Sequence, residues 1–560
     1  MRQIVLITGH LYTGKSGLLH LLEEEFGFAT FKTSELLKRV ADARSLPAGR
    51  LALQELGDTL DRETSSKWVY DSVVNELQGY ADGRPIVVDN IRTSEQLEYF
   101  RKDHNIEVVH VHLYAQKADL QSRYRKNNAV GDHSPPYDVL DHINNPADVD
   151  FFKKDADVRI NTSRTDKQDT LVRVAARLRQ FSPPNVRCVD VIVGGQYGSE
   201  GKGHIAAYLA REYDVLLRVG GPNAGHSVSS GSGVFVYHQL PSGSRDTLAA
   251  ELLLGPGMTI NVDDLLKEIE DCGVSPDRLY IDPQVMVIEK ADIESEGGLV
   301  RTIASTGRGG GAAAARRITG RGRADTRLAR DVPELREYVG TAPHFRGSTQ
   351  RRLELAYRGG RSVLLEGTQG SGLSLFHGEY PHVTSRDTNV AGCLAEAGIS
   401  PSRVRRILMV VRSTPIRVGN PDGNEGHISG SLKHEISFRD VAEAAQLDPE
   451  DLERNEKTST TRRPRRVGWF EWSQFRQACA LNAPTDIVLT FADYIDAKNS
   501  DARRFEQLTQ DTIKFIEELE RVAQAPVSLI NTRFPRDEEL KLDLRTVIDR
   551  RNWGRWQRDK

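Results

Sequence analysis

Twice in this chain a short apolar run ends in glycine and leads, through a glycine-rich loop, into a helical pattern. RQIVLITGHLYTGKSGLLHLLEEEFG does so at the start, and VDVIVGGQYGSEGKGHIAAYLAREY does so from Val189. A strand that turns on glycines straight into a helix is the opening unit of a parallel α/β sheet. Further short apolar runs continue the first pattern: GRPIVVDNIR ending near Asp89, VVHVHLYA from Val108 to Ala115, and ADVRI from Ala156 to Ile160. Gly27 stops the first helix, and FSPPN, Phe181 to Asn185, carries adjacent prolines that end another. The fold class expected is therefore α/β: a parallel-sheet domain over 1–180, a linker over 181–187, a larger mostly parallel-sheet domain over 188–548, and a polar tail over 549–560.

Composition narrows the class. The 560 residues allow several domains, and 28% charged with 38% hydrophobic residues is the balance of a globular protein. A net charge of -3 gives no general attraction to nucleic acid or to anionic membrane, so neither is an expected partner. Four cysteines, Cys188, Cys272, Cys393 and Cys479, lie far apart with no CxxC pair. That excludes a disulfide scaffold and fits a reducing compartment, so a cytoplasmic location is expected. The N-terminal apolar run is a strand and not a signal peptide, and no window is long enough to span a bilayer.

GHLYTGKS, Gly9 to Ser16, fits the G-x-x-x-x-G-K-[ST] phosphate loop in its proper strand-to-helix setting. Gly9 and Gly14 permit close backbone approach to phosphate oxygens, Lys15 reaches the terminal phosphates, and Ser16 is a magnesium ligand. This domain resembles the P-loop nucleoside and nucleotide monophosphate kinases. The resemblance implies roles for Asp89, with magnesium or the acceptor, and for Arg92 beside it. It also reads RYRKN, from Arg123, as a lid segment that brings arginines to the transferring phosphate; a solvated basic helix accounts for it equally well. NNAVGDHSPPYD, Asn127 to Asp138, reads as a mobile loop.

The second loop, GGQYGSEGKG, is glycine-rich without the standard spacing. It is followed in order by GGPNAGHSV, STGRGGGAA, LLEGTQGSGLSLFHGEYPHVTSRDTNVAG, TSTTRRPRRVGW and APVSLINT. This ordered set resembles the adenylosuccinate synthetase family, which joins L-aspartate to the 6-position of IMP at the expense of GTP. The chemistry such a site needs is a base at N1, clamps for phosphate, magnesium and a pocket for two carboxylates. The resemblance implies catalytic roles for Ser199, Lys202, His226 and Gln369. It implies nucleotide or phosphate contacts for Gly198, Gly201, Gly203, Asn223, Thr306, Arg417 and Asp493, and aspartate contacts for Thr461, Arg463 and Arg465. Ser199 and the Gly225 carbonyl are its magnesium ligands, and Arg321 or Arg323 its phosphate arginine from a second subunit of a homodimer. Expected partners are thus a purine nucleoside monophosphate, L-aspartate and a nucleoside triphosphate, with Mg2+.

Three departures from the family pattern bear on specificity. Ser199 stands where the family has aspartate, and a neutral hydroxyl is not an ordinary general base. Serine there resembles the 2-aminoadenylosuccinate synthetase branch, which uses dGMP. Phe491, in LTFADYID, stands where the family has a lysine that helps read guanine. An aromatic ring stacks on a base but donates no comparable polar contact, which brings ATP or dATP beside GTP as the phosphoryl donor. Arg462 and Pro464 replace other residues in the arginine loop and reshape it. The reading is a ligase acting on dGMP, GMP or IMP; the alternatives are an IMP-specific synthetase with an accessory kinase domain, and a nucleotide sensor that has lost its base.

Overall fold

The computed structural model describes residues 2–80, 83–127, 136–144, 149–230, 233–339, 348–421, 428–458, 463–533 and 546–551. The chain divides into two compact units, Met1–Phe181 and Ser182–Lys560.

The first unit is built on five parallel strands: β1 (Arg2–Gly9), β2 (Ala29–Lys32), β3 (Ile86–Asp89), β4 (Ile106–Tyr114) and β5 (Val158–Asn161). Their order is β2-β3-β1-β4-β5. Ile4, Val5, Leu6 and Ile7 are fully buried, as expected for a parallel sheet covered on both faces. The helix Lys15–Phe26 follows β1 and ends at Gly27, whose φ of 70° closes it in the left-handed conformation. Not foreseen were β2, only four residues long, and the three helices Thr33–Ala43, Arg50–Thr64 and Trp68–Gln78 that fill the stretch up to β3.

The second unit has a nine-stranded sheet. In spatial order its strands are Leu279–Ile281, Glu251–Leu254, Val215–Arg218, Val363–Glu366, Val189–Gly194, Val404–Arg412, Asp486–Thr490, Val527–Asn531 and Val547–Asp549. The first eight run parallel and the last is antiparallel. The chain leaves Val189–Gly194 for Val215–Arg218 on one side and leaves the neighbouring Val363–Glu366 for Val404–Arg412 on the other, so the loop after Gly194 lies at a topological switch point, where open α/β sheets form their clefts. A small antiparallel sheet of Ile416–Val418, Arg465–Gly468 and Glu435–Ile436 pairs Arg417 with Arg466.

One expected boundary shifts. Asp549 ends the last strand, and Arg551 is 5% exposed, tied by ion pairs to Glu212 and Asp549. The polar tail therefore does not begin at 549; residues 552–560 lie outside the described residues, as does most of the expected mobile loop. No helix among the described residues is long and apolar enough to cross a membrane.

Candidate functional site

The Gly194–Gly203 loop is shaped by residues with positive φ: Gly198 at 87°, Ser199 at 55° and Gly201 at 87°. Only glycine adopts such angles without strain, so Ser199 is held there by its surroundings. The Glu200 carboxylate is turned inward. It accepts hydrogen bonds from the backbone N–H of Gln196 at 3.0 Å and of Gly198 at 2.8 Å, and it pairs with the Lys202 ammonium. Lys202 is 2% exposed and Glu200 fully buried. Ser199, in contrast, is exposed on the cavity side of the loop. A Cβ at Gly194 would stand 2.5 Å from the Gln369 carbonyl oxygen, so only glycine lets the two loops meet.

A cavity of about 510 Å³ opens against this loop. Its walls bring together Gly198, Ser199, Gly201, Lys202 and Gly203 with Asn223, Gly225, His226 and Thr306. Gln369, Arg417, Arg463, Arg465 and Asp493 complete it, drawn from segments up to almost three hundred residues apart. Asn223 Oδ1, Thr306 Oγ1 and Gln369 Oε1 are buried without a hydrogen-bond partner. Buried polar atoms left without a partner are costly unless a polar ligand satisfies them. The helix after STGRG, Gly310–Thr319, does not offer its N-terminus to an anion. The Glu296 carboxylate already accepts from the N–H groups of Gly309, Gly311 and Ala312, at 2.7–3.0 Å.

His226 is set by three residues. Its Nδ1 lies 2.5 Å from Glu366 Oε1, and Ser242 donates to Glu366 from its backbone N–H at 2.7 Å and its hydroxyl at 2.6 Å. Arg218, fully buried, stands 3.5 Å from the same carboxylate. Burial disfavours Glu366 ionisation, but Arg218, His226 and Ser242 outweigh it and hold the carboxyl at about 2. Burial and then Arg218 lower His226 to about 4. The ring is therefore neutral near pH 7, with its proton on Nδ1 facing the carboxylate and Nε2 left for the cavity.

The arginine segment rests on a second buried carboxylate. Glu456 accepts from Arg412 Nη2 at 2.8 Å, Tyr494 Oη at 2.7 Å and Arg465 Nη1 at 2.6 Å. Arg463 donates to the Ala304 carbonyl at 3.4 Å, beside the Ser305–Thr306 wall. Thr461 and Arg462 lie outside the described residues. Phe491 differs from the expectation of a ring open to a base. It is 8% exposed, and the Arg412 guanidinium lies 3.9 Å from its ring centroid. Arg321 and Arg323 are exposed and do not line the cavity; Arg321 donates to Ile318 O and Arg323 pairs with Asp325. Glu366, Arg218, Glu456 and Arg412 were not singled out from sequence. Glu366 lies inside the LLEGTQG motif, but nothing local marks its partner 140 residues away.

In the first unit, Lys15 Nζ folds back on the carbonyls of Gly9 and His10, at 2.7 and 2.9 Å. A Cβ at Gly9 would strike the Leu113 carbonyl. Ser16 Oγ lies 3.5 Å from Asp89 Oδ2, and Asp89 Oδ1 is buried without a hydrogen-bond partner. Burial raises the Asp89 pKa against the pull of Lys15. Arg92 pairs with Asp58 at 3.3 Å. Arg123 donates to the Tyr12 carbonyl and to Thr162, so here it braces the loop.

Among the described residues no cluster of three or more His, Cys, Asp or Glu is arranged to hold a metal ion. Magnesium carried by a polyphosphate needs only one or two protein oxygens. Ser199 and Gly225, which line the cavity, and Ser16 beside Asp89 in the first unit, are the residues that would supply them.

A doubly wound sheet with a glycine loop at its switch point, a buried lysine and an arginine-lined cavity defines a nucleotide-handling α/β enzyme. The sequence model of the adenylosuccinate synthetase family matches residues 191–338 and 323–500. The adenylosuccinate synthetase of Archaeoglobus fulgidus is 34% identical over 350 residues, 61% of this chain and 94% of that protein. That of Pyrococcus horikoshii is 33% identical over 371 residues, 65% of this chain and 98% of that protein. Among solved structures, the cyanophage S-2L succinoaminodeoxyadenylate synthetase (PurZ), bound to dGMP and to dATP as an energy donor, is 27% identical with a TM-score of 0.51. It is matched over its whole length and 67% of this chain. The Plasmodium falciparum adenylosuccinate synthetase shares the fold at 22% identity and a TM-score of 0.51, over 66% of this chain and all of that one. The chain belongs to the adenylosuccinate synthetase family, ligases that form a C–N bond between a 6-oxopurine nucleotide and aspartate.

Proposed function

We propose that the second unit joins L-aspartate to C6 of dGMP or GMP, in preference to IMP, with ATP, dATP or GTP as phosphoryl donor. The observation that carries the purine choice is Ser199, exposed on the cavity wall where the family resemblance calls for aspartate. A hydroxyl there leaves room and an acceptor for the 2-amino group of guanine. The likeness to the cyanophage enzyme, bound to dGMP and dATP, favours the same choice.

In this reading N1 gives up its proton to solvent, and O6 attacks the γ-phosphate and releases the nucleoside diphosphate. The 6-phosphoryl purine is then attacked at C6 by the aspartate amine, and phosphate leaves. Lys202 exchanges its Glu200 partner for the transferring phosphate. His226, oriented by Glu366, presents Nε2 to the developing charge and donates once protonated. Gln369, Asn223 and Thr306 satisfy their orphaned atoms on the purine monophosphate. Arg463 and Arg465 take the carboxylates of aspartate as bidentate donors, with Thr461 beside them. Ser199 and the Gly225 carbonyl would hold magnesium, which would supply charge neutralisation to the phosphates. Glu200 does not replace the missing base, because its carboxylate is fully buried, held inward by the backbone N–H groups of Gln196 and Gly198, and does not line the cavity.

Arg321 or Arg323, both exposed on this chain, suits a homodimer in which one of them reaches the phosphate bound by the other subunit. We propose that the first unit is a nucleotide kinase using Lys15, Ser16 and Asp89. The test is one matrix: full-length protein with aspartate, magnesium, ATP, dATP or GTP, and IMP, GMP or dGMP, read by product mass and phosphate release. A succinylated guanine nucleotide is the expected product. No succinylated purine in any combination sinks the ligase reading, and product from IMP alone sinks the guanine preference.

A further inference from the structure

Glu456 stands where three segments of the cavity wall meet. Its carboxylate is 3% exposed and held ionised at about 2: burial opposes ionisation, but Arg412, Arg465 and Tyr494 outweigh it. Oε2 takes the Arg465 guanidinium, and the Glu456 carbonyl takes the Arg465 backbone N–H at 3.1 Å. Thr458 and Arg463 are joined by two more hydrogen bonds, N–H to carbonyl at 2.9 Å and N–H to hydroxyl at 3.0 Å. Residues 456–458 and 463–465 are thus the two sides of a stem beneath the arginine loop. Arg465 Nε is left buried without a hydrogen-bond partner, so the guanidinium spends one arm on Glu456 and keeps donors for another carboxylate.

Oε1 serves a different wall. It takes Arg412 and Tyr494, and Arg412 Nη1 lies 3.5 Å from the Ser199 carbonyl while its guanidinium covers Phe491. One carboxylate therefore fixes an arginine of the amino-acid pocket and, through a second arginine, the backbone of the purine-side loop. We infer that Glu456 is a positioning residue with two separable branches: Arg465 for recognition of the dicarboxylate amino acid, and Arg412 for the set of the Ser199 loop against the purine. This rests on the ligase reading above.

The experiment is steady-state kinetics of the full chain and of Glu456→Gln, Glu456→Asp and Arg412→Lys, with calorimetric unfolding of each. Glu456→Gln should raise the KM for L-aspartate at least about tenfold, the loss of one charge-assisted hydrogen bond. It should also raise the KM for the purine monophosphate, while kcat at saturating substrates changes less than either. Glu456→Asp, which keeps the charge and folds if the glutamine variant does not, should fall between. Arg412→Lys cannot span Glu456 and Ser199 together, so it should raise the purine KM and spare that for aspartate. Lower thermal stability with unchanged KM values would mean a structural role only and overturn the inference. Equal effects of Arg412→Lys on both KM values would overturn the division into branches. A wild type that makes no succinylated purine overturns the ligase reading and this inference with it. Product from the wild type, with an unchanged aspartate KM in the Glu456 variants, overturns this inference alone.

Discussion

Glu366 Oε1 and His226 Nδ1 lie 2.5 Å apart, both residues buried, on segments 140 residues apart in sequence. The carboxylate fixes which ring nitrogen carries the proton and stabilises the imidazolium when it forms. Glu366→Gln removes that stabilisation while keeping the shape. We expect kcat for succinyl-purine formation to fall roughly 100-fold or more, within the range of acid–base contributions, with nucleotide KM values little changed. Steady-state rates with calorimetry on the same sample check this; a variant of normal kcat would remove His226 from the chemistry.

Ser199 selects the purine in the proposed reading, and Ser199→Asp tests it. A carboxylate at that position supplies a base and takes the space beside the 2-amino group. The ratio of kcat/KM for IMP to that for dGMP should rise by about tenfold or more, the scale of discrimination by one polar contact. Competition assays with both nucleotides present read the ratio directly. An unchanged ratio would place selectivity elsewhere on the wall.

Lys15 and Lys202 lie in different units and separate the two uses of triphosphate. Lys202→Ala should abolish C–N bond formation, and Lys15→Ala should leave it intact while ending phosphoryl transfer to a monophosphate acceptor. Each loss should be about 100-fold or greater, as for removal of a preorganised charge from a transferring phosphate. Product mass distinguishes the two reactions in one incubation. Loss of succinyl-purine in Lys15→Ala would show that the first unit feeds the second.

Acid stability follows from buried neutral histidines. Burial lowers His204 and His226 to about 4, His110 to about 4, and His112, with its cationic neighbours, to about 3. Their folded values lie below the ordinary 6.5, so the unfolded chain binds protons first. Their contribution is complete above pH 6.5 and is lost as pH falls toward 4, at about 1.4 kcal/mol per histidine per pH unit. Glu366 and Glu456, held at about 2, add their losses only below the ordinary carboxylate range. Urea unfolding from pH 7.5 to 4.5, followed by tryptophan fluorescence, should show stability falling from about pH 6.5. A flat profile above pH 5 would mean these rings are solvated.

What was legible in the sequence was local. Gly9, Gly14, Gly198 and Gly201 are visible because positive φ or backbone contact at those positions admits little else. The buried strands are visible as apolar runs. Phe491 was legible as an aromatic in place of lysine, but not as a ring covered by Arg412, because Arg412 ends one strand and Phe491 follows the end of the neighbouring one. Glu296 looks like one charge among many until the chain folds and places it on a helix N-terminus. Glu366 and Glu456 are hidden for the same reason: a buried carboxylate is defined by its cations, and these come from remote segments.

The inward pair of Glu200 and Lys202 gives the cleft a particular manner towards bystanders. Its lysine is already neutralised before any nucleotide arrives. A stray inorganic anion must displace a carboxylate that is also held by two backbone N–H groups, and it brings only its own charge to the exchange. A nucleotide brings base, sugar and polyphosphate contacts as well. If the proposed reaction runs as described, the inorganic phosphate it releases is expected to compete only weakly for the lysine.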